Sequence, residues 1–296
     1  MRSREVALYL LLCAIWGTTW IAAKVGVAAV PPLLFGATRF VVAGLVLGGF
    51  LAARRQFALP ARADLPRLLV VSILLMTACY GLLFWGLQYV SSGLAGVLEM
   101  SLTPVALLAF ALLLGDETFD LVRAGSIALG VVGILILFAP AATFSGGMGI
   151  AGMAAVSGAA IVYGWGAVLS RPLMARYTST WLAAFTMLVG GGLLLLISLL
   201  WEPRAVAMLT TPWPLPAIAG WLFLVIGGSL AGYTIYMHLL RVWGSSRSGT
   251  FAFPSSVIAV LVGHLAFGEE VTTTALVGMA ILLAAAWLAI RPDRAA

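Results

Sequence analysis

Apolar runs of close to twenty residues alternate along this chain with short stretches rich in proline, glycine and charge. Ten such runs are expected to be helices, at roughly 6–29, 33–51, 67–89, 93–114, 122–139, 148–170, 180–200, 215–239, 249–267 and 273–290. The interruptions fall at Pro31 and Pro32, between Arg54 and Arg67, from Gly115 to Arg123, from Ala139 to Gly149, and at the TPWPLP stretch that starts at Thr211. A helix rising 1.5 Å per residue needs about 20 apolar residues to cross ~30 Å of hydrocarbon, so each run has nearly the length of a membrane span. Lipid offers no hydrogen bonds to free backbone groups, which leaves helices and closed barrels as spanning structures. The runs are continuous rather than alternating, which excludes the barrel. Arg2 and Arg4 before the first run imitate a signal peptide, but about 24 apolar residues exceed the usual apolar core of such a leader. A retained first helix is expected.

Composition agrees. Hydrophobic residues make up 63% of the chain, charged residues 9%, and mean hydropathy is +1.13. A soluble domain carries about 25% charged residues because its surface must be solvated. The formal charge of +6 does not point to nucleic acid, since the basic residues lie in small clusters between apolar runs. Such clusters set membrane orientation. With the N-terminus in the cytoplasm, Arg2, Arg4, Arg54, Arg55, Arg62, Arg67, Arg123, Arg171, Arg176, Arg241, Arg247, Arg291 and Arg294 fall inside, and only Arg204 falls outside. Both termini are therefore expected in the cytoplasm. Cys13 and Cys79 both sit inside apolar runs, so no disulfide framework, metal site or cofactor is expected.

The two halves resemble each other. Aligning Gly115-Asp116-Glu117 with Gly268-Glu269-Glu270 sets an offset of 153, which also superimposes Tyr80 on Tyr233, Gly96 on Gly249 and Gly125 on Gly278. Near the start of each half an offset of 147 places Trp16 on Tyr163, Gly17 on Gly164 and Lys24 on Arg171. The expected organisation is a five-helix unit over 1–140, a second over 147–291, and a short cytoplasmic tail at 292–296. An odd number of spans per unit makes the two units inverted. Inverted repeats are typical of transporters in which two halves rock around a midplane site; duplication in a non-transporting scaffold is the plainer reading.

The stretches WGTTWIAAKVG, PPLLFGATRFVVAGLVL and GLQYVSSGLAGVLEMSLTPVALLAFALLLGDE resemble the EamA branch of the drug/metabolite transporter superfamily, and GEE followed by VGMAILLAAAWL repeats that pattern weakly in the second half. Within that branch the chain is most similar to bacterial aromatic amino acid exporters. The resemblance implies an all-α integral membrane protein of ten helices in two inverted five-helix units. It also implies a central cavity lined mainly by helices 1, 3, 4, 6, 8 and 9, and transport out of the cell.

Residues four apart share a helix face, which makes Trp16, Trp20 and Lys24 one stripe on helix 1 and Tyr163, Ala167 and Arg171 its counterpart on helix 6. Helix 3 offers Tyr80, Phe84 and Gln88, and helix 8 offers Tyr233, Tyr236 and Met237. Trp and Tyr concentrate at membrane interfaces, so aromatic pairs near mid-helix call for another explanation. Ordinary packing is one. An aromatic-walled cavity is the other, with Trp16, Trp20, Tyr80, Phe84, Tyr163, Trp165, Tyr233 and His238 as candidates. Lys24, Arg39 and Glu99 all lie about 8–10 Å below the outer face by helical rise. Charges in hydrocarbon face a partner or water. Glu99 is expected either to pair with Arg39 or Lys24, or to meet a zwitterionic substrate together with them; snorkelling is the alternative for Lys24.

Pro104 and Pro254 lie within helices 4 and 9, where proline removes a backbone bond and bends the helix; they are candidate gating kinks. Gly44/Gly48 and Gly228/Gly232 have the spacing of close helix contacts. GMGIAG at Gly147–Gly152 matches a dinucleotide fingerprint by letters only, with no strand before it and no acid after it. Asp116-Glu117 and Glu269-Glu270 read as polar connections that favour the next helix N-terminus.

The expectation is a secondary transporter, not an enzyme. It exports small metabolites, amino acids with an aromatic preference, by alternating access as a monomer in the bacterial inner membrane. Export of cationic drugs or other metabolites, and a non-transporting scaffold, are the alternatives. Proton coupling through Glu99 and passive uniport are equally open.

Overall fold

Residues 3–56, 58–90, 92–138, 146–267 and 271–290 are described in a computed structural model of the chain, and no strand occurs among them. The apolar runs are helices: α1 (Ser3–Val27), α2 (Pro32–Ala53), α3 (Arg62–Gly86), α4 (Ser92–Leu113), α5 (Leu121–Phe138), α6 (Gly146–Ser170), α7 (Ser179–Trp201), α8 (Leu215–Trp243), α9 (Ala252–Phe267) and α10 (Thr273–Ile290). Six of the described helices are long and apolar enough to cross a membrane: α1, α2, α3, α6 with its extension to Ala175, α7 and α8. Shorter apolar stretches run through α4, α5 and α10. Proline at the first position starts α2 where its missing N–H costs nothing. The tail 292–296 and the Glu269-Glu270 pair lie outside the described residues, as does the side chain of Lys24.

Equivalent helices of the two halves meet in equivalent ways. α2 packs along α7, and α5 along α10. α1 contacts α8 and α9 of the second half, and α6 contacts α3 and α4 of the first. Exchanging each helix with the one five places later leaves this pattern unchanged. Close approaches repeat as well. A methyl group on Gly17 would meet Ile258 Cβ at 2.8 Å, and one on Gly164, 147 positions on, would meet Ala106 Cβ at 2.7 Å. α2 and α7 run antiparallel: Leu34 is near Glu202, Phe40 near Gly191 and Gly44 near Leu188.

Two helices are locally widened. α3 is π-helical over Ile73–Ala78, and α8 over Leu224–Tyr233, which covers the positions 153 residues further on. A π turn inserts extra residues per turn and re-aims the side chains after it. Here it delivers Tyr80 and Tyr233 to the middle of the bundle. The outer surface is apolar, with Leu200 and Trp201 about four-fifths exposed, as lipid-facing residues are.

Candidate functional site

A cavity of about 100 Å³ lies where the two halves meet. α1 supplies Trp16, Thr19, Trp20 and Ala23; α2 supplies Arg39 and Phe40; α3 supplies Cys79, Tyr80, Leu83, Phe84 and, just past its end, Leu87. Glu99 and Met100 come from α4 and Tyr163 from α6. Gly228 and Tyr233 of α8, with Phe251 and Ser255 at the start of α9, complete the wall. Phe40 and Tyr80 meet edge to face at 4.5 Å between ring centres.

The floor is an aromatic layer around Tyr236, which is fully buried. Its ring lies 5.3 Å from Trp16, 5.6 Å from Tyr163, 6.3 Å from Tyr233 and 5.8 Å from Phe251. Trp16 is itself fixed by an edge contact to Phe251 at 4.6 Å and by its Nε1–H, which donates to the Gly228 carbonyl at 3.1 Å. The hydroxyls of Tyr163, Tyr233 and Tyr236 are buried without a hydrogen-bond partner of good geometry. The walls are thus mainly apolar and aromatic faces, which suits a solute with an aromatic body.

The EamA-like transporter family model matches residues 3–139 and again residues 150–291. The chain belongs to the EamA-like transporter family. It is a multi-pass membrane protein of a family of transporters rather than enzymes. Among EamA relatives it is 30% identical to the Escherichia coli K12 inner membrane transporter YedA, over 88% of this chain and 82% of that one. It is 27% identical to the transporter YvbV of Bacillus subtilis, over 95% and 90%. A WAT1-related chloroplastic protein of Arabidopsis thaliana is 28% identical, over 94% and 67%. A solved crystal structure superimposes with a TM-score of 0.82 at 20% identity, covering 98% of this chain and 97% of the other, a likeness of fold.

Of the residues expected at the cavity of this EamA protein, Trp16, Trp20, Tyr80, Phe84, Tyr163 and Tyr233 line it. Trp165 does not: it is 41% exposed and stacks on Phe110 at 5.9 Å, because two residues along a helix turn about 200° away from Tyr163. His238 also lies off the cavity, two residues past Tyr236, with Nε2 buried and unpartnered. Arg39 and Glu99 share the cavity but form no ion pair, against one branch of the expectation. The Arg39 guanidinium instead lies over the rings of Phe40 (4.4 Å) and Tyr80 (4.9 Å). Pro104 is inside α4, whereas Pro254 occupies the first turn of α9, where no backbone bond is lost to it. Phe40, Tyr236 and Phe251 were not among the expected cavity residues. The placements of Tyr236 and Phe251 follow from the π turn in α8 and the break before α9, which leave no mark in the spacing of residues.

Beyond the aromatic floor is a polar cluster that the two halves share. Asp116, in the α4–α5 connection, is ion-paired with Arg171 at the end of α6 and accepts from Ser245 Oγ at 3.2 Å. Glu117 accepts from Arg123 at 3.0 Å, from the Ser246 N–H at 3.1 Å and from the Ser246 hydroxyl. Gly244, at φ +85°, turns the α8–α9 connection onto these carboxylates. The acidic pair therefore does more than favour a helix N-terminus: it joins the α4–α5 connection to the far ends of α6 and α8.

Proposed function

We propose that this protein is a secondary transporter that exports small metabolites, amino acids with an aromatic preference above all, by alternating access around the aromatic cavity. The observation that carries this reading is that both repeats build the cavity and that the same repeats are latched together beyond its floor. Trp16, Trp20, Tyr80 and Phe84 come from one repeat, and Tyr163, Tyr233 and Phe251 from the other. A site between two pseudo-symmetric halves is exposed alternately when the halves rock.

In this reading α1–α10 all cross the bilayer, as units 1–140 and 147–291 of opposite orientation. The antiparallel course of α2 and α7 supports the inversion. The thirteen arginines on one side support cytoplasmic termini, which makes the Asp116–Arg171 cluster the cytoplasmic closure. The membrane is the bacterial inner membrane, the functional unit is a monomer, and export follows the resemblance to exporters. Glu99, which lines the cavity without an ion pair among the described residues, favours a second reading in which the solutes are organic cations.

Counterflow of labelled phenylalanine and tryptophan into proteoliposomes tests the proposal. Exchange above protein-free vesicles is expected, with competition by aromatic amino acids. Competition by amines and cationic dyes alone would favour the second reading. No flux across a broad solute panel would overturn transport and leave a scaffold.

A further inference from the structure

Arg39 is a buried charge whose surroundings are incomplete. It is 7% exposed, its Nε has no hydrogen-bond partner, and no carboxylate among the described residues pairs with it. Guanidinium groups stay protonated in proteins. Removing one from water is costly even after relaxation, and the aromatic faces beneath it return only part of that cost. The two rings of Phe40 and Tyr80 therefore hold the guanidinium flat without balancing its charge. A planar cation at the wall of a cavity, with no carboxylate paired to it among the described residues, suits the fork geometry of a carboxylate. Glu99 lines the same cavity with a charge of opposite sign.

We propose that Arg39 is the carboxylate seat of the cavity, so that the solutes it takes are small aryl carboxylates, with Glu99 receiving the ammonium group when one is present. Phe40 and Tyr80 are positioning residues that keep the guanidinium edge turned towards the solute. Trp16, Trp20, Phe84 and Tyr163 hold the aromatic body. This rests on the transport reading above and names the chemistry that it recognises.

Three probes with one aromatic body separate the charges: phenylalanine, 3-phenylpropionate and phenethylamine. Each is assayed on the purified full-length protein by its shift of the melting temperature and by competition in counterflow. Wild type is expected to respond to both carboxylates. Arg39→Gln and Arg39→Lys should weaken both by roughly 10–100-fold, the loss of a charge-assisted bidentate contact. Neither should weaken phenethylamine. Glu99→Gln should weaken phenylalanine and spare 3-phenylpropionate. If Arg39→Gln does not fold, Arg39→Lys, which keeps the charge but not the fork, carries the test. Carboxylate responses unchanged in the Arg39 variants would overturn the seat while leaving transport intact. A wild type that responds to phenethylamine alone would also overturn it, in favour of cation transport. No response of wild type to any probe would overturn the seat together with the reading on which it rests.

Discussion

The guanidinium of Arg171, at the end of α6, is ion-paired with the carboxylate of Asp116, 55 positions earlier in the α4–α5 connection. Both side chains are largely buried, and Ser245 of the α8–α9 connection reaches the same carboxylate. A pair this sheltered is worth more than an exposed one, because removing one partner strands the other. Asp116→Asn and Arg171→Gln should each shift the balance towards opening at this end by about 1–3 kcal/mol, or roughly 5–150-fold. The check is labelling of Ala23→Cys, in a Cys13→Ala/Cys79→Ala background, by an impermeant maleimide applied from the latch side. Labelling should rise in both single variants. The exchange Asp116→Arg/Arg171→Asp should bring it partly back. Equal labelling in all four proteins would remove the latch from the transport cycle.

Gly244 and Gly115 provide a paired test of the same cluster. Both have positive φ, +85° and +68°, which costs a residue with a side chain about 1–2 kcal/mol. A methyl group on Gly115 would meet nothing within 4 Å, whereas one on Gly244 would meet Glu117 Oε1 at 2.5 Å. Gly115→Ala should therefore lower thermal stability by the backbone cost alone. Gly244→Ala should lower it further and also raise latch-side labelling of Ala23→Cys. Identical melting temperatures for the two variants would show that the Ser245–Ser246 turn is free of the carboxylates.

How far the sequence reaches into this molecule varies with the kind of feature. Apolar runs mark helices because lipid demands length, and their expected limits lie within a few residues of α2, α7 and α10. Six cavity aromatics were found because four-residue spacing and the repeat both pointed at them. Trp165 and His238 failed on a criterion already available, since each lies two positions from a residue that does face the aromatic layer. The π turns of α3 and α8 were not legible: Ile73–Ala78 and Leu224–Tyr233 are as apolar as their neighbours, and the widening arises from packing. Of the arrangements expected for Arg39, the ion pair with Glu99 is not formed and the guanidinium lies over Phe40 and Tyr80 instead, because depth along a helix does not say which way a long side chain lies.

Trp16 links the cavity wall to its floor, and its environment admits a graded test. Its Nε1–H donates to Gly228 O at 3.1 Å, and a methyl group on Gly232 would meet Nε1 at 2.5 Å. Trp16→Phe loses the hydrogen bond, a cost of about 0.5–1.5 kcal/mol, but keeps the ring contacts with Tyr236 and Phe251. Gly232→Ala pushes the indole off that seat. Counterflow should therefore fall more in Gly232→Ala than in Trp16→Phe, although the glycine is not a cavity-lining residue. The reverse order would mean that the indole N–H, rather than the placement of its ring, matters for the solute.

At the other end of the bundle the halves are joined by Glu202, just past α7. Its two oxygens accept the N–H groups of Leu33 and Leu34 at 2.9 Å each, and Ser198 Oγ donates to one of them at 2.6 Å. α2 has no side-chain cap of its own, so a carboxylate from the other repeat serves its first turn. That position also suits a negative charge, since free N–H groups and the helix dipole converge there. Glu202→Ala should cost about 1–2 kcal/mol, the value of a good N-cap, and Ser198→Ala clearly less. Hydrogen exchange should show faster amides at Leu33 and Leu34 and unchanged protection in the middle of α2. Because the contact bridges the two repeats at the end opposite Asp116–Arg171, its loss should also favour opening on that side, so latch-side labelling of Ala23→Cys should fall or stay constant in Glu202→Ala. A rise would show that Glu202 steadies α2 without taking part in the choice between the two open states.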